Sequence, residues 1–356
     1  MADTMKAYVY HGPNQASLDD VPVPQVTDPH DVIIKPTLSA ICTSDVHIVA
    51  GHMQGTVKPP KIMGHEFCGE IVDIGSAVKG WKVGDRTVVS ASSKCGECAN
   101  CRKGLSARFC LEPGFGVFGS GGYDGCQAEY MKLPRGAVYM SPIAEGLSDE
   151  DVIMVPDMLC TGLYGVLQTG VKIGDTVVVI GNGPVGLSAC LTARMWGAKT
   201  IIAVDVVDYL LEAALKAGVA DYTINSAQEN VVDRVKEINK GKLAEVVIET
   251  AGLNQTFNDA IACAGFHGRV CSLALFSQPI TIPVMNAAVL KNLHISVGIQ
   301  ESLGRELLFD YVKEGRIDSK FMLTHRAPLN DIEKGYDIFS NKKDRCIKWL
   351  VTPYER

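Results

Sequence analysis

GDTVVVIGNGPVGLSACLTARMWG, residues Gly174 to Gly197, decides the fold. It opens on an apolar run, TVVVI, of the length of a strand buried on both faces. A G-x-G-x-x-G follows from Gly181 to Gly186, then a run with small residues on one face, as a helix packed closely on a sheet requires. Alone, such a glycine pattern is a weak signal. Here a second strand, AKTIIAVDVVD, comes next and carries Asp205, 24 positions beyond Gly181. Strand, glycine turn, helix, strand and acidic residue in that order read as a dinucleotide-binding βαβ unit. The backbone of Gly181, Gly183, Pro184, Val185 and Gly186 is expected to approach the pyrophosphate, whose charge suits the N-terminus of the helix. Asp205 can accept from ribose hydroxyls. It would also repel the extra phosphate of NADP, by roughly 4 kcal/mol for unit charges at 4 Å and an effective dielectric of 20. The next basic residue is Lys216, so nothing offsets that repulsion and NAD is the expected cofactor.

Downstream the alternation continues with helix LLEAALKAG, strand DYTIN, helix VVDRVKEINKG, strand AEVVIETAG, helix QTFNDAIACA and strand GRVCSLALF. That is the pattern of an α/β, doubly wound sheet. Upstream, KAYVY, DVIIKP and DRTVVS are short β-rich pieces between Gly, Pro and Asp turns, which predict a β-barrel-like domain. The expected boundaries are 1–155 with 299–356 for the β-rich domain and 156–298 for the cofactor domain. The tail adds a helix in ESLGRELLFDYVKEG, a second in DIEKGYDIFSN and a strand in RCIKWLV.

The β-rich part carries GHE at Gly64 to Glu66, with Cys42 lying 23 positions before His65. Thiolate, imidazole and carboxylate are zinc donors, and a catalytic zinc keeps three protein ligands and one open position. In CTSDVH, Ser44 and His47 follow Cys42 closely enough to lie near the same metal. Taken alone, C-x-S-x-x-H would read as a turn with a surface histidine; GHE makes the metal reading the better one. KCGECANCRKGLSARFC places Cys95, Cys98, Cys101 and Cys110 in one short segment, as a closed four-sulfur structural zinc site requires.

These segments, CTSDVH, GHEFCGEIVDIGSAV and GNGPVG together, resemble the zinc-containing medium-chain alcohol dehydrogenases over essentially the whole chain. The resemblance implies a GroES-like β-barrel catalytic domain beside a Rossmann cofactor domain. It also implies a cleft between them, with zinc on one wall and nicotinamide on the other. VPDMLCTGLYG is similar to a subgroup of bacterial secondary-alcohol dehydrogenases in which the aspartate, here Asp157, is the third zinc ligand; better-known relatives have cysteine, for which Cys160 is the candidate. Asp157 equally suits the start of a helix after Pro156. The resemblance also places Thr161 at the cofactor and makes Ser44, then a ribose hydroxyl, then His47 a path for the alcohol proton. Glu66 either ligates zinc when the substrate position is empty or stays outside it. In the family seven residues separate the third and fourth structural cysteines, whereas Cys101 and Cys110 enclose eight. Val117, Phe118, Leu275, Ile299 and Gln300 are the candidate pocket walls, mostly apolar, which suits a bulky hydrophobic secondary alcohol. The family forms dimers and tetramers through the cofactor domain.

The activity implied is transfer of hydride between NAD(H) and an alcohol and its ketone or aldehyde, with one catalytic and one structural zinc per chain. A polyol or threonine-type dehydrogenase is the nearer alternative, and a non-catalytic NAD-binding structural or regulatory protein the more distant one. Composition narrows the field independently. With 356 residues, 47% hydrophobic and 21% charged, the chain is globular, and its length favours two domains. A net charge of −6 without a Lys/Arg cluster speaks against nucleic acid. The start, MADTMKAYVYHG, has no basic segment leading into an apolar run, so no membrane is expected and the cytoplasm is. Twelve cysteines in such a chain read as metal ligands and core residues, not disulfides.

Overall fold

The computed structural model describes residues 3–53, 57–282, 284–299 and 304–354. The chain forms two compact units, Met1–Asp157 with Arg305–Arg356, and Met158–Gly304. Both junctions lie a few residues beyond the expected 155/156 and 298/299. The first falls within an uninterrupted helical run, Val155–Leu159 continuing into Cys160–Thr169, so no loop composition marks it.

The second unit is built on a six-stranded parallel sheet in the order Tyr222–Asn225, Thr200–Asp205, Thr176–Ile180, Ala244–Glu249, Ala264–Ser272, His294–Val297. Parallel strands are covered on both faces, which is why TVVVI and IIAV read as continuous apolar runs. Val178, Ile180, Ile202, Val204, Ile224 and Val247 pack with Val231, Val235, Ala260 and Cys263 from the helices. Each buried Val or Ile among these contributes about 1.5–3 kcal/mol relative to exposure. Helix Pro184–Met195 starts with proline in its first turn after an extended Gly183, and it is buried nearly all round, with the small residues Gly186, Ala189 and Ala193 among those buried. A Cβ at Gly186 would lie 1.8 Å from the Gly181 carbonyl oxygen, so helix and strand meet there only as glycine. The strand His294–Val297 was not anticipated. It has four residues, two of them His294 and Ser296, too short and mixed for a periodic signal.

The first unit carries a seven-stranded sheet. Its path runs Met140–Pro142, Arg86–Val89, Glu66–Ile74, Val32–Ala40, Lys348–Thr352, Leu323–Pro328, with Met131–Leu133 also paired to Val32–Ala40. A three-stranded sheet of Gln15–Pro22, Thr4–Gly12 and Lys61–Ile62 accompanies it. The tail returns to this unit because Leu350 and Val351 pair antiparallel with Ala40 and Ser39. Helix Ile332–Ser340 closes over that strand at Gly335, where a Cβ would meet the Trp349 indole at 2.5 Å.

Candidate metal centre and cofactor-binding site

Cys42 is the N-cap of helix Thr43–Val49, and Asp45 in the helix's first turn reaches back so that its Oδ2 accepts the Cys42 N–H at 3.0 Å. The thiol is thereby placed by the helix start itself. Gly64 then turns the chain with φ +95°, tight against Gln127, whose Cγ a Cβ would approach to 2.6 Å. His65 leaves that turn and Glu66 opens the next strand. Asp157 lies in a π-helical turn, Val155–Leu159, in place of the regular helix start that Pro156 predicted. Such turns widen a helix locally and recur at functional sites.

Cys42, His65, Glu66 and Asp157 offer one donor atom each, all within 4.8 Å of one another, with the first three residues buried and Asp157 half-buried. Among the described residues this group takes in Asp157 and not Cys160. Burial pushes the Cys42 thiol pKa up, with Glu66 adding to it, and burial raises the Glu66 carboxyl to about 7. Burial works the other way on His65, yet Asp45, Cys42 and Asp157 outweigh it and raise the imidazole well above its ordinary value. So many acidic groups crowded together out of water call for a cation. Glu66 Oε2 is buried without a hydrogen-bond partner. Sulfur, imidazole and carboxylate are a zinc donor set, and the arrangement fits that ion.

Around this group lie residues the sequence did not single out. The Asp45 carboxylate is 3.1 Å from His65 Nδ1, close enough for charge attraction though poorly aligned for a hydrogen bond. That leaves Nε2, 3.4 Å from Asp157, as the nitrogen facing the donors. Gln127 donates to Asp45 at 3.4 Å and accepts from the Tyr336 hydroxyl at 2.8 Å, so the C-terminal helix reaches the imidazole through two intermediates. Lys348, fully buried, donates to Glu66 Oε1 at 2.6 Å. These partners lie far apart in sequence, except Asp45, which sits inside CTSDVH and reads there as a helix cap. Ser44 Oγ donates to Cys42 Sγ at 3.2 Å and lies 3.4 Å from His65 Nε2. His47 is half-buried at the far end of the same helix, with its Nδ1 3.1 Å from that of His52.

The Cys95, Cys98, Cys101 and Cys110 sulfurs gather within the same 4.8 Å limit. Backbone N–H groups of Glu97 and Cys98 point at Cys95 Sγ at 3.4 and 3.3 Å, and that of Leu111 at Cys98 Sγ at 3.4 Å. These donors favour thiolate, and the Leu111 N–H is the main cause lowering the Cys98 pKa to about 6. The four thiols fit a closed metal site. A single turn, Ala107–Phe109, leads into Cys110, and its Phe109 carbonyl accepts from Asn100. Of the other eight cysteines, Cys68, Cys126, Cys160, Cys190, Cys263, Cys271 and Cys346 are, like Cys42, buried.

In the second unit, a Cβ at Gly183 would meet open space, leaving the start of helix Pro184–Met195 accessible from that side. Thr161 Oγ1 is buried without a hydrogen-bond partner, as a hydroxyl awaiting a ligand would be. Asp205 Oδ2 accepts the Asn182 N–H at 2.6 Å, and Oδ1 those of Val206 and Val207. Oδ2 therefore keeps an acceptor position for a ribose hydroxyl. Of the candidate pocket residues, Phe118 belongs to the core, against Phe67 and Tyr139. Val117 and Ile299 are partly buried, Leu275 is exposed, and Gln300 lies outside the described residues.

Residues 28–143 match the alcohol dehydrogenase GroES-like domain and residues 184–307 the zinc-binding dehydrogenase family. An alcohol dehydrogenase of Cupriavidus necator is 34% identical over 99% of this chain and 100% of its own. An L-threonine 3-dehydrogenase of Bacillus licheniformis is 32% identical over the same shares. The structure of zinc-dependent alcohol dehydrogenase 2 from Streptococcus pneumonia superposes with a TM-score of 0.91 at 31% identity, covering 99% of both chains. Two further structures, each 27% identical and covering 99% of this chain and 100% of theirs, hold a cofactor. An E. coli alcohol dehydrogenase is complexed with NADH (TM-score 0.88), and a zinc-binding dehydrogenase of Sinorhizobium meliloti is bound to NADP (TM-score 0.87). Two domain matches in the order the fold requires, and full-length relatives above 30% identity, place this chain in the zinc-dependent medium-chain alcohol dehydrogenase family.

Proposed function

We propose that this enzyme oxidises a hydrophobic secondary alcohol to its ketone, or the reverse, with NAD as hydride acceptor. The observation that carries this reading is the buried donor group of Cys42, His65 and Asp157 with the Ser44 hydroxyl beside two of its members. When bound there, zinc lowers the pKa of the alcohol hydroxyl and polarises the carbonyl in the reverse direction. The protein's part is charge and position. Cys42 and Asp157 supply two negative charges against the metal's two positive ones, and Lys348 offsets Glu66, so the site is close to neutral before substrate enters. Ser44 is the group placed to take the alcohol proton, and His47 to carry it outward. The Asp45 carboxylate attracts the Nδ1 side of the His65 ring, which favours Nε2 facing the metal donors. Cys95, Cys98, Cys101 and Cys110 hold a second zinc, with no position left for chemistry.

Thr161 and the glycine turn would seat the cofactor, and the Asp205 carboxylate would select NAD by repelling a 2′-phosphate. Asp205→Ser with Val206→Arg is expected to flatten or reverse the preference, read as kcat/KM with each cofactor; a wild type that works better with NADP ends this assignment. A threonine- or polyol-type activity is the second reading, favoured by the threonine dehydrogenase relative. It needs polar pocket groups, whereas the residues the resemblance puts forward as pocket walls, Val117, Leu275 and Ile299, are apolar. A screen of primary, secondary and cyclic alcohols, sorbitol and L-threonine, followed by NADH absorbance, separates the two. Twelve free cysteines suit a reducing compartment, and we place the enzyme in the cytoplasm as a homo-oligomer.

A further inference from the structure

Helix Thr43–Val49 ends in a cap whose geometry is complete. The Gly51 N–H bonds the Ile48 carbonyl at 2.9 Å and the His52 N–H bonds the His47 carbonyl at 2.9 Å. Gly51 itself has φ +77°. This is a Schellman motif, in which the side chains two beyond and three before the helix end are brought together, usually as an apolar contact. Here that pair is His52 and His47. Their Nδ1 atoms are 3.1 Å apart and their ring centroids 5.3 Å apart. The position admits only glycine, because a Cβ would lie 2.7 Å from that of Pro13. The cap therefore fixes two imidazoles in hydrogen-bond contact, one half-buried and one exposed.

We infer that His52 is the last protein carrier of the proton released in alcohol oxidation, receiving it from His47 across the Nδ1 to Nδ1 hydrogen bond. The inference rests on the relay role proposed for His47. A hydrogen bond between two imidazole nitrogens needs one donor and one acceptor, so the pair shares a single proton there. A proton arrives on His47 Nε2, the His47 Nδ1 proton moves to His52 Nδ1, and the His52 Nε2 proton passes to water. One proton enters and one leaves for each hydride given to NAD, and exchange with water restores the starting tautomers. Burial, and then the neighbouring His52, hold the His47 pKa below its ordinary value, so His47 is neutral and ready to accept near pH 7. His52 is the one titratable side chain that acts on His47 among the described residues. His52 is a positioning residue in this scheme, acting through His47.

The test is a single turnover of the zinc-loaded enzyme at pH 7 in weak buffer, with saturating NAD and the best alcohol of the screen. NADH is followed by absorbance and the released proton by an indicator dye. His52→Gln is expected to slow both signals on the order of tenfold, with unchanged zinc content and thermal midpoint. Added imidazole should restore the rate, and His52→Glu, which keeps a titratable group, should lose less. The inference is overturned if His52→Gln matches wild type in weak buffer, or if its deficit resists imidazole, since a purely structural role would be indifferent to added carrier. His47→Gln separates the two levels. If it is slow while His52→Gln is normal, the proton leaves from His47 and only the His52 step falls. If it is as fast as wild type, the relay itself falls.

Discussion

Asp157 occupies a position where two residues compete in the sequence, and the local backbone separates them. Within the π-helical turn its carboxylate faces His65 Nε2 at 3.4 Å, and Cys160, the first residue of the regular helix that follows, is not among the gathered donors. Asp157→Ala is expected to bind one zinc instead of two, to lose more than about a hundredfold in activity, and to keep its fold by circular dichroism. If instead it keeps both metals and Cys160→Ala loses one, the ligand is Cys160. The thiol, imidazole and carboxylate of CTSDVH and GHE were legible because adjacent donors with spacing characteristic of metal sites are rare by chance. Lys348 was not. Its bond to Glu66 crosses 282 positions, and a lysine in a terminal strand reads as an exposed residue until the sheet is assembled around it. Asp45 was invisible for another reason. An acidic residue in the first turn of a helix already has an ordinary explanation as a cap.

At the scale of elements, the strand and helix runs of the second unit were legible from periodicity alone. The pieces that went unread are short or irregular: strand His294–Val297, the π-helical turns, and the pairing of the C-terminal strand with Val32–Ala40. One short helix shows how local chemistry holds such pieces. Asp149–Val152 is capped by Ser148, whose hydroxyl and N–H both bond the Asp151 carboxylate while the Asp151 N–H bonds Ser148 Oγ. Lys320, far along the chain, donates to the same carboxylate at 2.6 Å. Lys320 first and Ser148 second lower the Asp151 pKa to about 2. A carboxyl depressed in the folded state stabilises fully above its unfolded pKa and loses that contribution as pH falls through the folded value. The window thus runs from about pH 4 down to about pH 2. The thermal midpoint of Asp151→Asn should lie below wild type by a constant amount at pH 5 to 7, and the gap should close toward pH 2. Because Lys320 is exposed, salt should narrow the gap. A gap unchanged from pH 5 to pH 2 would show that the ion pair and cap are not its cause. The Cys95–Cys110 segment has little packing of its own, since Leu105, Phe109 and Leu111 within or beside it are exposed, so metal bound there would be its main support. Cys98→Ser is accordingly expected to lower the thermal midpoint by roughly 5 °C or more while the Asp157 site initially keeps its zinc and activity; equal loss of both metals would mean the two sites are not independent.

For the molecule as a whole, the feature that the two metal sites and the cofactor site leave unexplained is an apolar border on the second unit. Among the described residues, His294–Val297 is the last strand of its sheet, paired on one side with Ala264–Ser272 and with no partner on its other edge. Ile295 and Val297 on it are exposed, Val297 to 65%. The segment just before it adds Val284, Met285, Val289 and Leu290, of which Met285 and Leu290 are exposed to about 65%. An open strand edge is a template for pairing with another chain, and soluble proteins usually blunt it with charge, proline or a cover. Among the described residues, the strand has none of these beyond a single histidine. Exposed apolar residues in this number, if they adjoin, suit an association surface. The occupant that best suits an unpaired strand with matching apolar side chains is a second copy of the same strand, related by a twofold axis, because such an interface is self-complementary. The proposed homo-oligomer should therefore contain this border at its interface. Val297→Lys with Leu290→Asp places charge where the two copies would meet, while both side chains are exposed in the single chain and so cost its core nothing. Light scattering coupled to size exclusion should give a dimer or larger for the wild type and a monomer for the double variant, with both zincs retained in each. A double variant that keeps the wild-type mass, or a wild type that is monomeric at micromolar concentration, would remove this border as the interface.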